Sequence, residues 1–128
     1  MFTDTNELIF YGIDYMSLDL DWIIQSLDIK NNNFEIKLIM SEAITNAFIH
    51  GNNKDKSKPI VVMWKKEKDY LKISVKDCGT KKQKLDLYKD IDEDIILEES
   101  GRGLFIISSY SDEVKFEDGC IIMKKLIN

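Results

Sequence analysis

Three short stretches of this chain hold side chains that can do chemistry. Glu42 and Asn46 lie four residues apart, a spacing that puts both on one side of a helix, with Thr45 and Ile49 beside them. A carboxylate can take the proton of a hydroxyl nucleophile, and a carboxamide oxygen is the kind of hard ligand that Mg2+ accepts. Asp77 follows an alternating apolar run and precedes Gly79 by two residues. A carboxylate there can accept from an amino group on a ligand, and glycine lets a backbone come close. Ser100-Gly101-Arg102-Gly103 opens an apolar helical run. Backbone N–H groups at a helix start suit phosphate oxygens, and arginine adds a fork of donors. Each stretch alone also has an ordinary structural reading. Polar pairs four apart are common on helix surfaces, Asp-x-Gly is turn chemistry, and glycines often mark loop–helix junctions.

The surrounding elements follow from periodicity. Leu8–Tyr11 reads as a strand ended by Gly12. Ser17 or Asp19 opens a helix covering Leu20 to Leu27, and Asn31–Asn33 breaks it. Apolar residues from Phe34 to Phe48 recur at helical spacing, so a helix is expected over Phe34–His50. Asn32 with Glu35 fits a capping box at its start, and Gly51-Asn52 a stop at its end. His50, the single histidine, falls at the helix C-terminus, where the dipole favours a cation; that structural role is preferred for it over a site role. Ile60–Lys65 and Tyr70–Lys76 read as a hairpin; in the second, Leu71, Ile73 and Val75 alternate with polar residues. Thr80–Ser100 is charged and fits neither helix nor strand, the length of a functional lid. Gly103–Tyr110 is helix-like, and Val114–Phe116 with Ile121–Leu126 form a last hairpin around Asp118-Gly119. Locally paired strands with interspersed helices give an α+β sandwich, helices on one face of a mostly antiparallel sheet.

Composition narrows the function classes. The 128 residues suit one domain, 1–128, with 44% hydrophobic residues for a core. A net charge of −5 argues against direct nucleic-acid binding and against an anionic membrane surface. It leaves room for a basic protein partner. No apolar run nears the roughly 20 residues needed to span a bilayer, and Met1–Phe10 is not a leader. Cys78 and Cys120 form no metal motif, so a cytoplasmic protein with reduced thiols is expected. Lysine is the usual base here; Arg102 is the only arginine.

In their order and spacing the three stretches resemble a known family. Ser41 to Gly51 is similar to the N-box of the GHKL ATPase superfamily, and its His50-Gly51 ending resembles the anti-sigma-factor serine kinases. Asp77-Cys78-Gly79 resembles the first glycine box, and Glu99-Ser-Gly-Arg-Gly-Leu104 the second. Phe116–Lys125 resembles the C-terminal end, so the likeness runs from about Leu8 to Lys125. It implies a Bergerat-type α/β sandwich that binds ATP and Mg2+. Asn46 would hold Mg2+, Glu42 would be the general base for a partner's serine, and Asp77 would hold the adenine amino group beside Gly79 and Thr80. Gly101, Arg102 and Gly103 would frame the phosphates at the hinge of a lid over about 80–100. A sigma factor and an anti-sigma antagonist are the implied protein partners, and a homodimer the implied assembly. Phe10, Tyr11 and Tyr15 are candidates for an exposed dimer patch or for core. Three positions depart from the family pattern. Lys81 stands where a second glycine is usual, Cys120 where a threonine is usual, and the lid is acidic and lacks proline. A thiol is a weak substitute for a hydroxyl donor. These departures leave open a non-catalytic nucleotide-binding interaction module on the same fold.

Overall fold

A computed structural model describes residues 5–79, 99–117 and 119–127. Thr80, Lys81, Lys82, nearly all of the expected lid and Asp118 lie outside the described residues. The elements run β1 (Thr5–Phe10), α1 (Met16–Leu27), α2 (Asn33–Asn46), a π-helical turn (Ala47–Gly51), β2 (Ile60–Glu67), β3 (Tyr70–Lys76), α3 (Glu99–Tyr110), β4 (Glu113–Glu117) and β5 (Cys120–Leu126). The expected α+β order is therefore found.

Among the described residues the strand pairings are antiparallel, in the order β1-β2-β3-β5-β4. The alternation in β3 sets which face is covered. Val62 and Trp64 stand opposite Val75 and Ile73, and Ile73 and Val75 stand opposite Met123 and Ile121. These side chains are all buried on one face of the sheet. The three described helices cover that face: α1 contributes Leu20, Ile23 and Leu27, α2 contributes Ile36, Ile39, Met40, Ala43 and Ile44, and α3 contributes Leu104 and Ile107. At roughly 1.5–3 kcal/mol for each fully buried large apolar side chain, this core is the main stabilising term. Helices stacked on one face of an antiparallel sheet make the Bergerat-type α/β sandwich.

The structure corrects several expected details. β1 ends at Phe10, which is core, while Tyr11 and Tyr15 are exposed. The capping box does not form. Asn32 precedes α2 in the left-handed region (φ 69°) with no side-chain cap bond, and its Nδ2 donates instead to the Leu126 carbonyl at 2.8 Å. The second helix does not remain α-helical to His50; from Ala47 it widens into the π turn. Helix α3 starts at Glu99, four residues before the expected Gly103; Gly101 and Arg102 lie in its first turn with Gly103 next, so the stretch 100–103 opens the helix as expected.

Candidate functional site

Helices α2 and α3 lie side by side, and a cleft of about 460 Å³ opens between them. Glu42, Thr45, Asn46, Ile49 and His50 form one wall; Arg102, Gly103 and Ile106 form the other. The geometry follows from periodicity. Glu42, Asn46 and His50 recur every four residues, and Arg102 and Ile106 do the same on the facing helix. An α-helix drifts by about 40° over four residues. The wider π turn counters that drift between Asn46 and His50, so the histidine stays on the cleft wall. Single π turns inside α-helices often mark functional sites.

Asn46 is the most telling residue. Its side chain is 5% exposed, and its Nδ2 is buried with no hydrogen-bond partner. A buried amide donor left unpaired costs roughly 1–3 kcal/mol, which a ligand oxygen would remove. Gly103 faces it closely: a Cβ added there would sit 2.9 Å from Glu42 Oε2 and 3.1 Å from Asn46 Nδ2. Only glycine leaves this wall open. Arg102 is exposed at the mouth, on the first turn of α3, whose leading N–H groups have no intrahelical partner.

Asp77 and Gly79 do not line this cleft; they sit beyond it, against the end of the π turn. A Cβ on Gly51 would run into the Asp77 carboxylate, and one on Gly79 would stand 2.9 Å from the Gly51 carbonyl oxygen. The Gly79 N–H donates to Asp77 Oδ1 at 2.7 Å. Gly51, which reads as a helix stop in the sequence, is thus also the platform under Asp77. Gly101 shares the first turn of α3 with Arg102, and Thr80 is outside the described residues.

Sequence reasoning missed three features. His50, assigned to the helix dipole, also lines the cleft, a position its four-residue spacing from Asn46 signals. Ile106 closes the apolar side of the opposite wall. Asn52, fully buried, accepts from the Cys78 N–H at 2.7 Å and donates to the Lys58 and Pro59 carbonyls at 3.1 and 3.2 Å. Within the loop that Asn52 anchors, the Ser57 hydroxyl and then its N–H hold the Asp55 carboxyl below its usual range.

The donor set fits a nucleotide with Mg2+. Asn46 offers a carboxamide oxygen for the metal and an unpartnered amide N–H for phosphate, in a cradle kept open by Gly103. Among the described residues no group of three acidic, histidine or cysteine side chains could hold a metal alone. Mg2+ does not need one, because it commonly takes one or two protein ligands with phosphates and waters.

A sandwich with a Glu–Asn helix facing a Gly-Arg-Gly turn is the architecture of the GHKL ATPase class. Residues 21–125 match the family described as histidine kinase-like ATPase domain. The chain is 35% identical over 104 residues to an anti-sigma F factor of Clostridium perfringens, covering 73% of this chain and 72% of that one. It is 34% identical over 104 residues to the serine-protein kinase RsbW of Listeria monocytogenes, covering 73% and 66%, and 31% identical over 103 residues to that of Listeria innocua, covering 73% and 66%. The chain belongs to the histidine kinase-like ATPase family, among relatives named anti-sigma F factor and serine-protein kinase RsbW. No helix among the described residues is long and apolar enough to cross a membrane.

Proposed function

We propose that this chain is an ATP-dependent serine protein kinase that holds a sigma factor and phosphorylates an anti-sigma antagonist, as a homodimer. The observation that carries the nucleotide site is the buried Asn46 amide without a protein partner, set in the cleft beside Glu42 and opposite Arg102. Asn46 would hold Mg2+, which when bound neutralises charge on the phosphates. Arg102 and the free N–H groups of the first turn of α3 would take phosphate oxygens, with Gly101 and Gly103 framing them. Asp77, set by Gly79 and Gly51, would accept from the adenine amino group, with Thr80 next in the chain. Glu42 would accept the hydroxyl proton as a partner's serine oxygen bonds to the terminal phosphorus and the bond to the ADP oxygen breaks. Positioning and charge neutralisation do most of the work in such transfers.

Calorimetric titration with Mg·ATP tests the site. Wild type should bind below millimolar nucleotide, and Asn46→Ala should lose most of that affinity. No binding by wild type at millimolar nucleotide would remove the reading. Transfer from ATP to candidate antagonists tests turnover: Glu42→Ala should bind nucleotide normally and transfer about 100-fold more slowly or worse, the usual worth of a general base. A Glu42→Ala variant as fast as wild type would refute its role. One observation favours a non-catalytic module instead: partly buried Cys120 opens β5 where a hydroxyl donor is usual in the family. Nucleotide binding with no transfer to any antagonist would select that alternative.

A further inference from the structure

We infer that Asn52 is a positioning residue that sets the base-recognition end of the site, fixing Asp77 and Gly79 relative to the cleft. The inference rests on the assignment of Asp77 to adenine proposed above. The sequence reads Asn52 only as part of the helix stop after His50, with no role in the site.

All four polar groups of Asn52 are used. Its N–H donates to the Ala47 carbonyl at 2.8 Å, closing the π turn, and its carbonyl accepts from the Asp55 N–H at 3.0 Å. Its Oδ1 accepts from the Cys78 N–H at 2.7 Å, and its Nδ2 donates to the carbonyls of Lys58 and Pro59 at 3.1 and 3.2 Å. The residue is fully buried. One side chain therefore joins the end of the π turn, the loop leading into β2 and the strand end that carries Asp77.

The location of these bonds gives them a functional reading. Cys78 lies between Asp77 and Gly79, so fixing its N–H fixes the peptide between the carboxylate and the glycine. Gly51, the neighbour of Asn52, packs its bare α-carbon against the Asp77 carboxylate. Asn52, six residues beyond Asn46 at the end of α2, thereby ties the strand end to the helix that carries Glu42 and Asn46. A ligand spanning both places needs their separation held constant, and loop backbone alone does not hold it. The two halves of the carboxamide serve different ends. The oxygen positions the Asp77 turn; the amino group secures the 58–59 loop.

The experiment compares affinity for ATP with affinity for purine riboside triphosphate, which lacks the 6-amino group. Wild type should prefer ATP. In Asn52→Ala that preference should shrink by roughly tenfold, the loss expected when a hydrogen bond to a charged acceptor is misaligned. Asn52→Asp keeps an acceptor for the Cys78 N–H but faces two carbonyls with oxygen. It should keep the preference while lowering the thermal midpoint, a split that a merely structural role would not produce. Should both variants fail to fold, hydrogen exchange on wild type decides: the Cys78 amide should be as protected as the amides of β3 without nucleotide, and rapid exchange would overturn the proposal. An Asn52→Ala protein that keeps the full wild-type preference would overturn it too. A wild type that binds ATP and the analogue equally would remove the Asp77 assignment, and this proposal with it.

Discussion

Gly103 shows how one missing side chain can set the reach of Glu42, the proposed general base. The nearest atoms to a Cβ at this position are the end of the Glu42 side chain and the Asn46 carboxamide. The Glu42 contact is with the end of a half-buried side chain, whereas Asn46 is held by burial. Gly103→Ala should therefore leave the fold intact and move the carboxylate. Displacement of a reacting group by about 1 Å can cost roughly 100-fold in rate. Single-turnover transfer should fall by that order while Mg·ATP affinity changes less. A variant that transfers at the wild-type rate would show that the wall has room to spare. Gly51→Ala should behave differently. Its new methyl meets the Asp77 carboxylate, which is already bonded to the Gly79 N–H, so binding and stability should fall together. At this scale the sequence was informative wherever partners were close along the chain. Local spacing singled out Glu42, Asn46 and Arg102 as candidates, the family resemblance preferred them, and the structure brings all three to one cleft. Asn52 was not singled out, because its side-chain partners stand 6, 7 and 26 residues away.

Helix α2 is the element on which the site depends, and both of its ends are held by contacts that periodicity does not report. At the start, Asn32 takes a left-handed backbone and reaches the Leu126 carbonyl at the end of β5. The sequence pattern of a capping box was present, but the side chain serves the tertiary bond instead. Asn32→Gly should lose only the hydrogen bond, about 1 kcal/mol. Asn32→Ala should lose that and add a left-handed strain of about 1–2 kcal/mol. Urea unfolding of the two variants checks the order; alanine no worse than glycine would show that the φ of Asn32 relaxes freely. At the other end, the shift from α to π hydrogen bonding at Ala47 is equally silent in a pattern of apolar residues. The strands were more legible. β3 alternates because one face is buried and the other is wet, so its bounds agree with the sequence reading. Insertion of β5 between β3 and β4 was not legible, since pairing between distant strands leaves no local mark.

At the scale of the whole molecule, α1 carries two apolar faces where a helix on a monomer's surface needs one. Leu20, Ile23 and Leu27 fill the core. On nearly the opposite side, Tyr15, Leu18 and Trp22 are 74%, 68% and 61% exposed, and Tyr11 is 61% exposed just before them. Such a stripe is what a partner surface leaves behind when the partner is absent. Its polar border is already paired within the chain, Asp14 with Lys56 at 2.8 Å and Asp21 with Lys37 at 2.7 Å. Two copies meeting across it would not bring unpaired like charges from these four residues together. The proposed homodimer therefore has a physical candidate for its contact, one that keeps Tyr11 and Tyr15 from the sequence reading and gives Phe10 to the core. Sedimentation should find wild type dimeric at micromolar concentration, and Tyr15→Ser with Trp22→Ser should yield a folded monomer, because neither side chain reaches the core. That monomer should still bind Mg·ATP, since the cleft between α2 and α3 draws no lining residue from α1. A wild type that sediments as a monomer would remove the dimer, and a double variant that stays dimeric would move its contact to another face.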